Sequence, residues 1–315
     1  MQVRELIVDI LDGDREVMIA PLPLYHIYAF TVSLVMSDMG HEMVLIPNPR
    51  DIPGFVKELS KHKFSSFAGL NTLFVALCNN KEFNALDFSH LKHTISGGMA
   101  LTEAAASTWQ NVTGCQIQEA YGLTETSPAV SFNPYRDIRI GTIGKVVTGT
   151  QVKVISEDGT DLGFDQEGEL CVKGPQVMAG YWQRPEATAQ VMDADGWFKT
   201  GDVAILAEDG FIRLVDRIKD MINVSGFNVY PNEIDDLASQ HPGILECAAV
   251  GIPNEVSGET VKLFVVKSDP GLTEADVIAH CRENLTAYKV PKEVEFKDEL
   301  PKTNVGKILR RALRA

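Results

Sequence analysis

The sequence predicts an α/β protein made of an α/β layer, a β-rich subdomain and a small α+β domain, and three changes of texture along the chain predict it. Residues 1 to about 140 alternate short apolar runs with stretches of helical period. From Gly141 to Val215 the pattern becomes short alternating runs divided by turn signals. After Asp216-Arg217 helix and strand signals mix again, over a span of the size of one small domain. The expected division is therefore residues 1–216, with 141–215 as the β-rich part, and residues 217–315.

Each element has a local reason. Val17-Met-Ile-Ala20 and Met43-Val-Leu-Ile46 are short β-prone runs, and Ile52 to His62 has the spacing of an amphipathic helix. Ser96-Gly-Gly-Met-Ala-Leu101 ends an apolar run, and Thr102-Glu-Ala-Ala opens a helix. Val152 to Ile155, Gly168 to Val172 and Phe211 to Val215 alternate as strands, punctuated by Glu157-Asp-Gly159 and Glu208-Asp-Gly210. Tyr230-Pro231 starts a helix to about Gln240, because proline at the first helical position loses no hydrogen bond. Glu246 to Gly251 and Thr260 to Lys267 read as strands. Thr273-Glu-Ala-Asp276 resembles a capping box for a helix to about Leu285, and Glu293 to Phe296 closes the series as a strand.

Composition narrows the function. With 315 residues, 44% hydrophobic and 23% charged, the chain is neither disordered nor fibrous. A net charge of −14 excludes general nucleic-acid binding, which needs a basic footprint. Lys289 to Ala315 runs the other way, with eight Lys/Arg against four Asp/Glu, and suits something anionic. The cysteines Cys78, Cys115, Cys171, Cys247 and Cys281 form no CxxC pair, so neither zinc knuckle nor disulfide framework is expected. The longest apolar-rich run, Ile27 to Met36, is about half a bilayer span, and no signal peptide is read. The expected location is the cytoplasm, with room for peripheral contact at the inner face of a membrane.

Four segments could carry chemistry. Gly97 and Gly98 would let a ligand approach the backbone, although taken alone they are better read as a plain strand-to-helix turn. Tyr121-Gly-Leu-Thr-Glu-Thr126 offers a ring for a base, hydroxyls for phosphate and a carboxylate for Mg²⁺; alternatively the threonines serve only the turn. Asp202, in Trp197-Phe-Lys-Thr-Gly-Asp202, and Arg217, in Asp216-Arg-Ile-Lys-Asp220, could clamp the two hydroxyls of a sugar, or form a surface salt bridge. Pro301 to Arg311 sets Lys307 after a flexible glycine at the head of a basic helix, where it could reach a phosphate or merely add charge. No GxxxxGK[ST] or GxGxxG loop is present. His90 and His93 have one-turn spacing but no supporting ligands, so a surface pair is expected.

Together and in this order, these segments resemble the adenylate-forming (AMP-binding) superfamily, and the whole chain resembles its long-chain fatty acid–CoA ligases. The resemblance rests on Tyr121-Gly-Leu-Thr-Glu125, on Gly196 to Asp202 through Phe211 to Arg217, on Ser225-Gly-Phe-Asn-Val-Tyr-Pro-Asn-Glu-Ile234 and on Pro301 to Arg311. It implies an adenylate-forming fold with an incomplete large α/β domain. It also implies an ATP-dependent activation of a long-chain fatty acid through an acyl-adenylate to acyl-CoA, with ATP and CoA as co-substrates and Mg²⁺ as metal. Carried over by position, Gly97, Gly98 and Tyr121 would form the adenine pocket, Thr124 a phosphate contact and Glu125 the Mg²⁺ ligand. Asp202 and Arg217 would hold the ribose, and His26 of Pro23-Leu-Tyr-His26 would lie beside the substrate carboxylate. Lys307 would bridge carboxylate and α-phosphate, Ser225 and Gly226 would flank pantetheine, and Lys219 would be the hinge of a mobile C-terminal domain.

The chain also departs from that pattern. The family's Ser/Thr/Gly-rich phosphate loop, expected upstream of Pro23, is absent, and Lys199 and Ile218 replace commoner residues. An N-terminal part is therefore expected to be missing, which raises pairing with such a fragment. It also raises two alternatives: a catalytically silent remnant binding nucleotide, CoA or a partner, and a ligase for another carboxylic acid, which the acyl-CoA signature run disfavours.

Overall fold

Five apolar runs of four to six residues, too short to stand alone, pair in parallel: β1 (Val17–Ala20), β2 (Glu42–Leu45), β3 (Ser66–Gly69), β4 (His93–Gly97) and β5 (Ile117–Gly122). In the computed structural model, which describes residues 15–314, the antiparallel strands β6 (Ala129–Phe132) and β7 (Lys145–Val146) extend them to seven, in the order β2-β1-β3-β4-β5-β6-β7. Helices α1 (Ile27–Asp38), α2 (Ile52–Leu59), α3 (Asn71–Cys78) and α4 (Glu103–Thr113) connect the parallel strands. Two compact units result, one holding residues up to Leu101 with Ala105–Leu214, the other Thr102–Ala104 with the residues from Val215 on.

Strand alternation feeds both faces of the seven-stranded sheet. Ile19, Phe67 and Ile117 join Phe55, Phe74 and Trp109 in one core, while Met18, Ala68 and Ile95 join Val32, Val35 and Met36 of α1 in the other. Phe67 and Phe74 surround Trp109, with ring centroids 5.2 and 4.8 Å away, and the indole N–H donates to Thr94 Oγ1 at 3.1 Å. That bond satisfies the one polar group the ring would otherwise bury unpaired. Asp51 accepts from the amide of Gly54 at 3.1 Å and starts α2. α1 is apolar all round, so Phe30 and Leu34 remain about half exposed after its inner face is buried.

In the same unit, β8 (Gln151–Ile155), β9 (Glu167–Lys173), β10 (Phe198–Leu206) and β11 (Ile212–Arg217) form a four-stranded sheet in the order β11-β10-β9-β8, over Val154, Leu170, Val172 and Ala204. The β-rich texture read from Gly141 on splits between two sheets. Lys145 and Val146 pair with Phe132 and Ser131, so β7 belongs to the first. A short helix, α5 (Pro185–Val191), interrupts the strands; its only sequence mark is a proline at the first turn.

The second unit contains β12 (Ile222–Val224), β13 (Phe227–Val229), α6 (Pro231–Ser239), β14 (Ile244–Asn254), β15 (Gly258–Lys267), α7 (Glu274–Asn284) and β16 (Glu293–Phe296). Its strands lie β13-β12-β15-β14, with β16 parallel to β15. Thr273 and Asp276 make the expected capping box at α7, and Tyr230-Pro231 begins α6. The two helices bury Ile234, Val277 and Cys281 against one sheet face. On the other face Ala248, Val250 and Phe264 are covered by Leu300, Ile308 and Leu313 from the C-terminal segment.

All five cysteines are free and buried, and burial pushes the Cys78 thiol up to about 12. His93 is buried at the start of β4, edge-on to Tyr135, so the expected surface histidine pair does not form. Among the described residues no helix is long and apolar enough to cross a membrane.

Candidate active site

The carboxyl ends of parallel strands are where α/β sheets present ligand-binding loops. Four sequence-predicted residues follow such ends in the first unit. The register pairs Gly97 of β4 with Ala120 of β5, so Gly98 lies level with Tyr121 although the two are far apart in sequence. Gly98 has φ +90°, a conformation that L side chains rarely adopt. Gly122 is required for another reason: a Cβ there would fall 1.9 Å from the carbonyl oxygen of Pro128.

The Tyr121 hydroxyl donates to Oδ2 of Asp202, a buried carboxylate on β10. Asp202 is itself set by its neighbours, since its amide donates to Thr200 Oγ1 at 3.1 Å and the amide of Gly201 donates to Glu169 at 3.0 Å. Thr126 takes the structural role left open in sequence: its buried hydroxyl accepts from the amide of Leu123 at 3.0 Å and donates to the Pro128 carbonyl, locking the turn. Thr124 projects exposed from the same turn. Glu125 accepts at Oε1 from the Tyr181 hydroxyl at 2.9 Å. Partial burial, reinforced by that carboxylate, holds the Tyr181 phenol above its ordinary pKa.

His26 caps α1, just after β1, with Nδ1 accepting from the amide of Tyr28 at 3.3 Å. This contact assigns the ring proton to Nε2. Tyr28 donates to the Ile95 carbonyl at 3.0 Å, and its ring is 3.4 Å from where a Gly97 Cβ would stand. Burial raises the Tyr28 pKa, so this hydroxyl stays protonated.

The remaining predicted residues lie in or at the start of the second unit. Asp216 is buried and accepts from the amides of Arg217 at 2.7 Å and Asn232 at 2.8 Å, leaving the side chains of Arg217 and Lys219 outward. Ser225 and Gly226 form the two-residue turn of the β12–β13 hairpin, with φ +54° and +86°. Both central residues in left-handed conformation is the mirror-type hairpin turn that matches strand twist. Lys307 does not head a helix. It stands in a small hairpin loop, where the Thr303 amide donates to the Lys307 carbonyl at 2.8 Å and the Leu309 amide to Pro301 at 2.7 Å. Only one 3₁₀ turn, Arg310–Ala312, follows, because Leu313 must turn down onto the sheet.

Sequence reasoning missed two residues of these surroundings. Tyr181 sits outside every motif and had no signal. Arg310 lay inside a quoted motif, but nothing in the sequence indicated that its guanidinium is buried and pairs with Asp235 at 2.9 Å.

The glycine-bearing end of β4 and the Tyr121–Asp202 bond thus belong to the first unit, and Lys307 to the second. A family model described as AMP-binding enzyme matches residues 2–182, and one described as AMP-binding enzyme C-terminal domain matches residues 233–307. The chain belongs to the AMP-binding enzyme family. It is 56% identical over 307 residues to a long-chain-fatty-acid–CoA ligase of Escherichia coli O6:H1, and 55% identical over 315 residues to that of Salmonella typhimurium. These alignments cover 97% and 99% of this chain but 54% and 56% of those proteins, so the chain spans about half the length of the curated relatives it matches. Among solved structures, ATP-bound MatB from Rhodopseudomonas palustris matches with TM-score 0.87 at 32% identity, covering 99% of this chain and 62% of that one. The anthranilate CoA ligase AuaEII in complex with anthranoyl-AMP matches with TM-score 0.89 at 28% identity, covering 98% and 62%. The α/β fold of an adenylate-forming enzyme is thereby established.

Proposed function

We propose that this chain forms the AMP-binding and lysine-bearing part of a long-chain fatty acid–CoA ligase. The observation that carries the reading is the Tyr121–Asp202 hydrogen bond beside Gly97 and Gly98, in a chain 56% identical to such a ligase. In the reaction a carboxylate oxygen of the fatty acid attacks the α-phosphorus of ATP, forming acyl-AMP and releasing pyrophosphate. The CoA thiol, losing its proton, then attacks the acyl carbon and AMP leaves with the electron pair of the broken C–O bond.

Gly97 and Gly98 leave space for adenine against the Tyr121 ring, and Asp202 accepts from ribose hydroxyls with Arg217 as second clamp. His26 holds the proton on Nε2 and offers it to the fatty acid carboxylate. Thr124 contacts phosphate, and Lys307 supplies a positive charge to the carboxylate and α-phosphate as charge develops. Ser225 and Gly226 flank pantetheine, and Lys219 is the hinge that exchanges one face of the small domain for another.

Mg²⁺ fits this site on the chemistry of its donors. Among the described residues no cluster of three metal-ligating side chains exists, and Glu125 presents a single carboxylate oriented by Tyr181. Mg²⁺ keeps much of its water and binds through one or two carboxylates plus substrate phosphates. Held at Glu125, it would neutralise charge on phosphoryl oxygens.

The exposed Phe30, Leu34 and Leu45, on α1 and the edge strand β2, support pairing with the polypeptide that this chain's relatives have and its alignment to them does not span. A water-insoluble acyl substrate supports work in the cytoplasm beside a membrane's inner face.

The half-length coverage favours one second reading, a silent nucleotide binder. ATP–pyrophosphate exchange with palmitate, without CoA, separates the two. Exchange that vanishes in Lys307→Ala is the expected result; folded protein that binds AMP without exchange would sink the ligase reading for the isolated chain.

A further inference from the structure

We propose that Arg310 is a positioning residue that ties the Lys307 loop to the segment 216–220, so that the root of the lysine and the two sides of the hinge are held together in this conformation. The proposal rests on the roles given above to Lys307 and Lys219. It is carried by a continuous set of bonds inside the second unit.

The guanidinium of Arg310 is nearly enclosed and makes three bonds. Nη2 donates to Asp235 Oδ2 at 2.9 Å and to Asn232 Oδ1 at 2.8 Å, and Nη1 donates to the Ala249 carbonyl at 2.9 Å. Asn232 continues the chain of contacts: its backbone amide donates to Asp216 Oδ2 at 2.8 Å and its side-chain amide to the Val215 carbonyl at 3.3 Å. Asp216 in turn accepts from the amide of Arg217 at 2.7 Å. A second tie runs through Arg314, whose guanidinium donates to the carbonyls of Lys219 at 3.2 Å and Asp220 at 3.0 Å. Arg310 is three residues from Lys307, and the loop between Pro301 and Leu309 is closed by its own hydrogen bonds. An anchor at Arg310 therefore fixes the root of Lys307.

A rotation at Lys219 would then have to part the Asn232 bonds to Asp216 and Val215, while Arg310 keeps the Lys307 loop fixed to Asp235 and Ala249. Lysine cannot replace Arg310, because one ammonium on a flexible stem does not reproduce a planar fork reaching Asp235, Asn232 and Ala249 together.

Hydrogen exchange on the full chain, without nucleotide or acyl substrate, tests the tie independently of any chemistry at Lys307. The variant Arg310→Met with Asp235→Asn removes both charges and keeps an acceptor for the Ala249 amide, which now donates to Asp235 at 2.6 Å. Amides of Gly306, Lys307 and Leu309 and those of residues 217–221 are expected to exchange about tenfold faster together, the factor a lost charge-assisted hydrogen bond gives, with β15 unchanged. Arg310→Lys should show the same loss. Arg314→Gln, on an exposed side chain, loosens the second tie without threatening the fold and should quicken both segments a few-fold. Unchanged exchange, or a faster loop with an unchanged 217–221 segment, in either the Arg310 or the Arg314 variants would overturn the proposal. Loss of pyrophosphate exchange in Lys307→Ala addresses the lysine's role separately.

Discussion

Tyr121 and Asp202, 81 positions apart, meet through a hydrogen bond from the phenol to a buried carboxylate. The bond joins β5, an interior strand of the seven-stranded sheet, to β10 of the four-stranded one. Tyr121→Phe should keep the fold and weaken AMP binding by about tenfold, the effect of leaving a buried charge short of one donor. Isothermal titration with AMP reads it; an unchanged affinity would remove Tyr121 and Asp202 from the nucleotide site.

The Tyr181 hydroxyl orients Glu125 at one oxygen. Replacing Tyr181 by Phe should raise the Mg²⁺ concentration needed for half-maximal ATP binding several-fold, with metal-independent AMP binding unaffected. Equal shifts for AMP and Mg·ATP would assign Tyr181 to packing alone.

Trp109 is fully buried between Phe67 and Phe74. Trp109→Ala should cost about 3–5 kcal/mol of stability through lost contacts and the cavity left behind. Thr94→Val, which leaves the indole N–H without its acceptor, should cost about 1–3 kcal/mol. Denaturant titration of both variants checks the order; a larger loss for Thr94→Val would contradict it.

Burial raises the Asp235 carboxyl to about 6, against the opposing pull of Arg310. An acid whose pKa is raised on folding stabilises the fold most when protonated in both states. That contribution is complete below the ordinary aspartate value, near pH 4, and is lost as pH climbs through about 6. The stability of the natural protein relative to Asp235→Asn should therefore fall between pH 4 and 6 and level off above. Chemical denaturation across that range would refute the assignment if the difference rose or stayed flat.

Much of this architecture was legible because local signals agreed with it. The Thr273–Asp276 capping box, the proline opening α6 and the turn glycines each dictate their own conformation from neighbouring residues. Helix α5 and the split of the β-rich stretch between two sheets were not legible, since strand partners are chosen across the fold and Lys145-Val146 is as β-prone in one sheet as in the other. The expected basic helix after Lys307 failed for a related reason: periodicity cannot register that Ile308 and Leu313 are needed to cover Phe264. At the site, Gly98 and Tyr121 were readable singly, whereas the Arg310–Asp235 pair required knowing which charges would be shut away from water.

The apolar cover that Leu313 lays over the far sheet face, with Arg314 beside it, has a genetic consequence. A stop codon at Leu313 would uncover Phe264 and Val266 and untie residues 219 and 220 at one stroke. Such a stop should rank with lesions in the middle of a domain.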